Sequence, residues 1–407
     1  MIIIAEGLNY RVRSASINFS RAVYGMNWFN IAPGLSYIAS NFDLRIVSLG
    51  IMTTSFYIGL AVFQMAGGIL ASRIGNVKTS VFGITVLGLS VIGTAQSHNL
   101  YDLIAARFFA GFGSAFFFSP ALGLLHQIVP EQSYPFHVGL FNGSFNIGAG
   151  IGIIGWNILD IYLGWRSPLD IAGIIMLALA LENFLVLRDI HVTPSSFRGA
   201  TKNAGILLRK KNVWILPVMA LSGILSETVV GNLLVYYLET QVGFSSQSAS
   251  ILDMIFLFIG FAGGVIGGYI FARNRHQIAQ FVAVIIMCSV LVILLGYSRS
   301  FIEILLEVSV LGMLTVNTLS ILYTLSARNI KDPGMISFSL SFINFVQNII
   351  GAFSPTIFGI FARVIGYSIS WSLIGLMGLV GFVSFIFLDR SALLVTKETE
   401  ITISEPD

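Results

Sequence analysis

Residues 281–295 read FVAVIIMCSVLVILL, fifteen consecutive positions without a charge and with a single hydroxyl. With its borders the run covers about 277–297. About 20 apolar residues at 1.5 Å per residue cross a bilayer core of about 30 Å. Lipid offers the backbone no hydrogen-bond partners, so a spanning segment closes its own bonds as a helix or shares them round a barrel. Barrel strands are about ten residues long and alternate apolar with polar. This run is longer and does not alternate, so it predicts a helix. The whole chain repeats the pattern: 56% of its 407 residues are hydrophobic and 10% charged, with a mean hydropathy of +0.86. Ordinary globular chains carry about 25% charged residues. The expectation is an all-α polytopic membrane protein set in a lipid bilayer.

Outward from that run, spans are expected at about 16–40, 46–71, 79–97, 100–128, 136–162 and 168–187, then 212–238, 247–272, 277–297, 301–326, 335–362 and 367–388. That makes twelve. The longest polar stretch between spans, Arg188–Lys211, divides them into six and six. The expected organisation is a bundle over 1–190, a basic linker over 191–211, a second bundle over 212–390 and a polar, acidic tail over 391–407. The N-terminus has its arginines after its apolar start, the reverse of a signal peptide, and reads as a retained tail. Loop charge sets orientation. With the N-terminus inside, sixteen Lys and Arg fall on inner segments and four on outer ones, leaving Arg21 and Arg107 within spans. Both termini are therefore expected in the cytoplasm, with the chain in the plasma membrane.

The lone cysteine, Cys288, excludes an intrachain disulfide and a cysteine metal cluster. The five histidines are scattered without zinc-ligand spacing, and there is no phosphate-binding Gly-x4-Gly-Lys-Ser/Thr loop. No metal, cofactor or nucleic-acid partner is expected. No convergent nucleophile and base emerge, so an enzyme is not expected either.

An internal repeat emerges near an offset of 200. Gly67, Gly68 and Arg73 at the end of the second span match Gly267, Gly268 and Arg273 at the end of the eighth. Asn142 and Asn146 match Asn344 and Asn348, and Arg107 has Glu307 as its counterpart. Two parallel halves point to a transporter with its site between them.

At this point the chain resembles the major facilitator superfamily over essentially its whole length. The family loop G-x-L-A-D-R-x-G-R-R/K is met by Gly68-Ile69-Leu70-Ala71-Ser72-Arg73-Ile74-Gly75, followed by Asn76, Val77 and Lys78. The acidic position is Ser72, and Ala272 stands at its equivalent, so the family's charged cytoplasmic latch is in question. Arg107-Phe108-Phe109-Ala110-Gly111-Phe112-Gly113 resembles the family's R-x-x-x-G-x-G segment. The resemblance implies two pseudo-symmetric six-helix bundles, a monomer, alternating access, and a cavity lined chiefly by spans one, four, seven and ten. It also makes Gly68, Ser72, Arg73, Gly75 and Lys78 the gating motif.

A charge at mid-span costs about 2.5–3.5 kcal/mol on insertion scales, so such groups face a wet interior. The deep charges of the four cavity spans are Arg21, Arg107, Glu227 and Glu307. Burial disfavours the charged carboxylate, so Glu227 is expected to carry the coupling proton; the alternative is a fixed tie between helices. Glu307, with Glu303 one turn away, is the second candidate. Arg107 suits a coupling or gating role, and Arg21 either binds an anion or reaches back to the inner surface. Tyr24, Asn27, Trp28, Asn30, Asn142, Asn146, Asn344 and Asn348 are the expected solute-binding set. Asn27 and Asn30, three apart, would share a helix face. Amides in lipid also act as glue worth about 0.6–2 kcal/mol, but an amide pocket with an aromatic suits a small polar solute. Glycines of spans five and eight are expected to pack helices closely where the halves move.

The expected function is secondary active transport of a small polar or anionic organic solute, by proton-coupled symport. The alternative within the class is proton-coupled export of drugs or metabolites. The rival outside it is a non-transporting receptor or an intramembrane enzyme.

Overall fold

The computed structural model describes residues 2–130, 134–190, 209–274, 276–328 and 333–389. Positions 191–208 of the linker and the tail 391–407 lie outside these, as do Arg198, Lys202, Arg275, Lys331, Arg390 and Lys397. Among the described residues there is no strand, and eleven helices are long and apolar enough to cross a membrane, from Ile46–Ala71 to Tyr367–Phe387. The helix Ile2–Trp28 precedes them and completes the twelve; it is more polar, with Arg11, Arg13 and Arg21. The chain is thus an all-α membrane protein of two six-helix bundles, numbered here as spans 1 to 12.

Span 6 stops at Leu187 and span 7 starts at Lys211. That end of the molecule is called the base, and the opposite end the crown. At the base, Arg13 lies 3.9 Å from Asp189, and Ser16 donates to Glu182 at 2.9 Å, tying span 1 to span 6. Local chemistry starts the helices. Asn99 opens span 4 by accepting from the backbone N–H groups of Tyr101 and Asp102. Ser245 does the same for span 8 through Ser248.

Several spans are not continuous, which hydropathy alone did not predict. Span 1 ends as a helix at Trp28, turns through 29–34 and resumes at Leu35–Asn41. The turn contains Pro33 and Gly34, and it places Asn30 beyond the helix rather than on one face with Asn27. Span 4 breaks between Ala115 and Phe118, and span 11 at Phe353, before Pro355 in the next helical turn. In span 7, Pro217 has no N–H to give, and the helix breaks at Ala220. It then contains two widened π turns, Ser226–Val230 and Leu238–Val242.

The two halves repeat one another in their helix seams. A Cβ on Gly111 would strike the Phe56 carbonyl, joining spans 4 and 2; one on Gly312 would strike the Phe256 carbonyl, joining spans 10 and 8. Gly173 faces the Gly88 carbonyl between spans 6 and 3, as Gly375 faces the Ser289 carbonyl between spans 12 and 9. Gly148 abuts Ala22 between spans 5 and 1, as Gly351 abuts Ile224 between spans 11 and 7. The glycines of spans 5 and 8 therefore serve mainly seams inside each half. Of those in span 5, Gly143 and Gly150 do face span 8 of the other half, against Phe261 and Phe258.

Spans 2 and 11, and spans 5 and 8, pack across the divide. Near the crown the contact is closed. Thr54 and Thr356 share a hydrogen bond of 2.8 Å, Asn157 donates to Ser246 at 2.5 Å, and Ser36 donates to Glu239. Gly50 lies directly under the Pro355 carbonyl.

Candidate solute cavity

Between the halves lies a cavity of about 190 Å³. Its walls come from both bundles: Arg21, Tyr24 and Trp28 of span 1, Gln64 of span 2, Phe118 of span 4, and Asn142, Phe145 and Asn146 of span 5. Across from them stand Glu227 of span 7, Phe256 and Leu257 of span 8, Thr315, Ser320 and Tyr323 of span 10, and Asn344, Gln347 and Asn348 of span 11. Phe118 and Tyr323 belong to the base-side halves of spans that run from crown to base, and Asn142 and Asn344 to the base-side halves of spans that run from base to crown. The chamber thus sits toward the base, below the closed crown.

Arg21 is 7% exposed, and its guanidinium lies 4.4 to 5.0 Å from the ring centres of Phe145, Tyr24, Phe118 and Phe141. Such cation–π contacts are worth about 2 kcal/mol or more when desolvated. They leave its N–H groups to be satisfied, and Nε and Nη1 have no hydrogen-bond partner among the described residues. Glu227 is half-buried in the π turn of span 7 and faces the same chamber. Widened turns of this kind recur at functional sites. Among the described residues no ion pair joins Glu227 to Arg21 or to any other base. Glu227 is therefore not a fixed tie by ion pairing within the described protein. A cation and an acid share one small chamber without closing on each other.

The amides divide into held and free. Asn348 donates to Gln64 at 3.0 Å, bridging spans 11 and 2, and Tyr323 donates to Asn344 at 3.1 Å. Asn146 donates to the Asn142 carbonyl at 3.3 Å. Gln347 is 1% exposed, yet neither of its amide atoms has a partner among the described residues.

Six of the eight residues expected to bind solute without charge line this cavity: Tyr24, Trp28, Asn142, Asn146, Asn344 and Asn348, together with Arg21. Asn27 and Asn30 do not. Asn27 donates to the Val23 carbonyl at 2.9 Å; Asn30 donates to Asn27 at 3.3 Å and accepts from Arg107 at 3.2 Å. Arg107 is 1% exposed and lies apart from the chamber, over the Phe56 ring at 4.5 Å. Glu307 is half-buried outside the chamber and accepts from Ser298 at 2.5 Å, while Glu303 is exposed near the crown. In the loop motif Gly68, Arg73 and Lys78 have open surroundings or exposed side chains; the Ser72 and Ala272 side chains lie outside the described residues. Gly75 has φ 93 and ψ 154, a conformation only glycine adopts readily, which gives that motif position a backbone reason. Asp253 of span 8 is fully buried, with neither oxygen partnered among the described residues.

Sequence reasoning missed Phe118, Phe145 and Tyr323. Nothing sets these rings apart in a chain with 33 Phe and 13 Tyr. The usable signal was spacing: Tyr24 and Trp28 follow Arg21 at helical intervals, so aromatic groups around a buried guanidinium could have been sought on facing spans.

Known proteins are similar in sequence and in fold. The family model of the Major Facilitator Superfamily matches residues 17–355. A probable sugar efflux transporter of Helicobacter pylori (strain ATCC 700392 / 26695) is 22% identical over 279 residues, covering 66% of this chain and 69% of its own. The 4-hydroxybenzoate transporter PcaK of Pseudomonas putida is 31% identical over 169 residues, 39% of this chain and 37% of its own. In structure, a bacterial homolog of the human lysosomal transporter Spinster, inward-facing and occupied, superposes with a TM-score of 0.78 at 14% identity, covering 94% of this chain and 97% of the other. With the matched model spanning both bundles, the chain belongs to the Major Facilitator Superfamily.

Proposed function

We propose that this chain is a secondary active transporter that moves a small polar or anionic organic solute by alternating access, coupled to protons. The observation that carries the reading is the chamber between the halves, where Arg21 and Glu227 face one volume of about 190 Å³ without pairing. An anionic group of the solute docks on the free N–H groups of Arg21, as guanidinium forks bind carboxylates. The rings of Tyr24, Trp28 and Phe145 flank it, and the free amide of Gln347 orients it. Glu227 carries the proton, as the one carboxyl among the residues that line the chamber. The base is the cytoplasmic end, as the excess of Lys and Arg on that side supports, and the membrane is the plasma membrane. Arg107 and Glu307 lie off the chamber, so the proton role rests on Glu227.

The test is solute flux in proteoliposomes with and without an imposed pH gradient. Accumulation that follows the gradient in the wild type, and is lost in Glu227→Gln while exchange at equal pH persists, supports the reading. Unchanged proton dependence in that variant removes Glu227 from the mechanism.

A second reading, proton-coupled export, is favoured by the names of the Helicobacter relatives, which are probable sugar efflux transporters. The same vesicles separate the two. An exporter accumulates solute when the proton gradient is directed out of the lumen of inside-out vesicles, and a symporter when solute and protons enter together.

A further inference from the structure

Arg107 is a buried cation whose charge no described residue balances. It is 1% exposed; Nη1 donates to Asn30 at 3.2 Å, while Nε and Nη2 have no partner among the described residues. No acid among the described residues forms an ion pair with it. An unpaired buried guanidinium is strongly unfavourable, and proteins retain such groups in membranes where a ligand or a moving partner meets them.

Its position relative to Arg21 is the telling feature. The Trp28 ring packs on Tyr24 and Phe145 at 5.5 Å each, and both of those rings carry the Arg21 guanidinium. On its other flank Trp28 packs on Phe56 at 5.1 Å, and Phe56 carries the Arg107 guanidinium. One aromatic column therefore has an underused cation at each end. The Arg21 end is open to the base-side chamber, and the Arg107 end is sealed.

The seal crosses the divide between the halves. The Tyr57 hydroxyl accepts from Trp28 at 3.1 Å and from Asn232 of span 7 at 3.1 Å. Asn232 keeps a buried Oδ1 with no partner among the described residues. Moving span 7 away from span 2, as opening of the crown requires, breaks the Asn232 bond and frees one side of the column.

We infer that Arg107 is a second anion-binding residue, which holds the carboxylate or phosphate group of the solute when the crown is open, as Arg21 does when the base is open. This inference rests on the proposed transport of an anionic solute. Trp28 then separates two half-sites, and the solute anion exchanges one guanidinium for the other as the halves rock.

The experiment is arginine-directed labelling with phenylglyoxal, read by peptide mass spectrometry on full-length protein in nanodiscs. The protein is taken as it is and in two crown-opening variants, Gly50→Leu and Thr54→Leu. Opening is scored by maleimide reaction of Thr356→Cys in a Cys288→Ala background, and the variant that opens is used. Arg107 is expected to be protected in the parent and to label at least tenfold faster in the opened variant. Benzoate, gluconate or inorganic phosphate is expected to slow that labelling at least threefold, with benzamide and glucose without effect. An Arg107 that stays unreactive with the crown open overturns the inference. So does reactivity that none of the three anions reduces more than the neutral probes. If Arg21 in the parent is anion-protected and Arg107 is not, this inference falls and the anionic-solute reading stands. If neither is protected, both fall.

Discussion

The two ends of the divide between the halves are built from different materials. At the crown the halves touch through short groups. Two threonines bond to each other, an asparagine bonds to a serine, a serine bonds to Glu239, and a bare glycine lies under the Pro355 carbonyl. Toward the base they are held apart by large or charged side chains, Arg21, Trp28, Phe145, Glu227 and Tyr323, around a volume of about 190 Å³. Short groups allow backbone approach and make many weak, easily exchanged bonds. Large charged groups keep a gap open and tie its electrostatics to whatever enters. On the proposed function, one end opens and closes and the other recognises the solute.

Four changes would break or sharpen that contrast. The largest effect is expected at the recognising end. In proteoliposomes, Glu227→Gln should cut pH-driven accumulation at least tenfold while solute exchange at equal pH changes by less than about twofold, since a neutral amide cannot carry the proton. At the closing end, Gly50→Leu inserts a side chain into the Pro355 carbonyl. Overpacking of this kind costs about 1–3 kcal/mol. Maleimide labelling of Thr356→Cys should rise by about tenfold, and no rise would mean that the crown is not closed by this contact. Ser36→Ala removes the hydroxyl that bonds Glu239. A hydrogen bond contributes about 1 kcal/mol, so the same labelling should rise by about fivefold. The smallest effect belongs to Thr54→Val, read with Gly50→Leu beside it on Ser246→Cys, so that the Thr54–Thr356 bond is intact before the change. Side-chain hydrogen bonds in membranes average about 0.6 kcal/mol, so a change of threefold or less is expected. A Thr54 effect larger than that of Gly50 would reverse the view that shape, rather than hydrogen bonding, seals the crown.

The fold was legible because hydropathy is a property of whole segments, and the bilayer punishes every exception. The run at 281–295 and its counterparts left no other architecture; of the matches near an offset of 200, Gly67 and Gly267 meet spans 4 and 10 at Ala115 and Asn317, Gly68 and Gly268 face open space, and the asparagines reappear as chamber walls. The helix breaks were less legible. Pro33, Pro217 and Pro355 are visible in the sequence, but whether a proline breaks, kinks or starts a helix depends on what neighbours supply to the freed carbonyl. The site was legible in part. Arg21, Tyr24, Trp28 and the paired asparagines stood out as polar or amphipathic groups where lipid forbids them. Glu307 stood out equally, yet it stands outside the chamber, bonded to Ser298. Distance along a span does not reveal the direction a side chain takes around it. The aromatic box around Arg21 was hidden by the abundance of phenylalanine.

The glycine seams have a mechanical consequence. Where Gly111 meets Phe56, Gly148 meets Ala22 and Gly312 meets Phe256, two helix backbones touch with no side chain between them. Such a joint has no rotamers to rearrange and almost no free volume to compress. Each bundle is therefore a stiff lever, and a displacement of its lower arm must reappear, with opposite sign, at its upper arm. On the proposed mechanism the levers pivot where spans 2 and 11 and spans 5 and 8 cross.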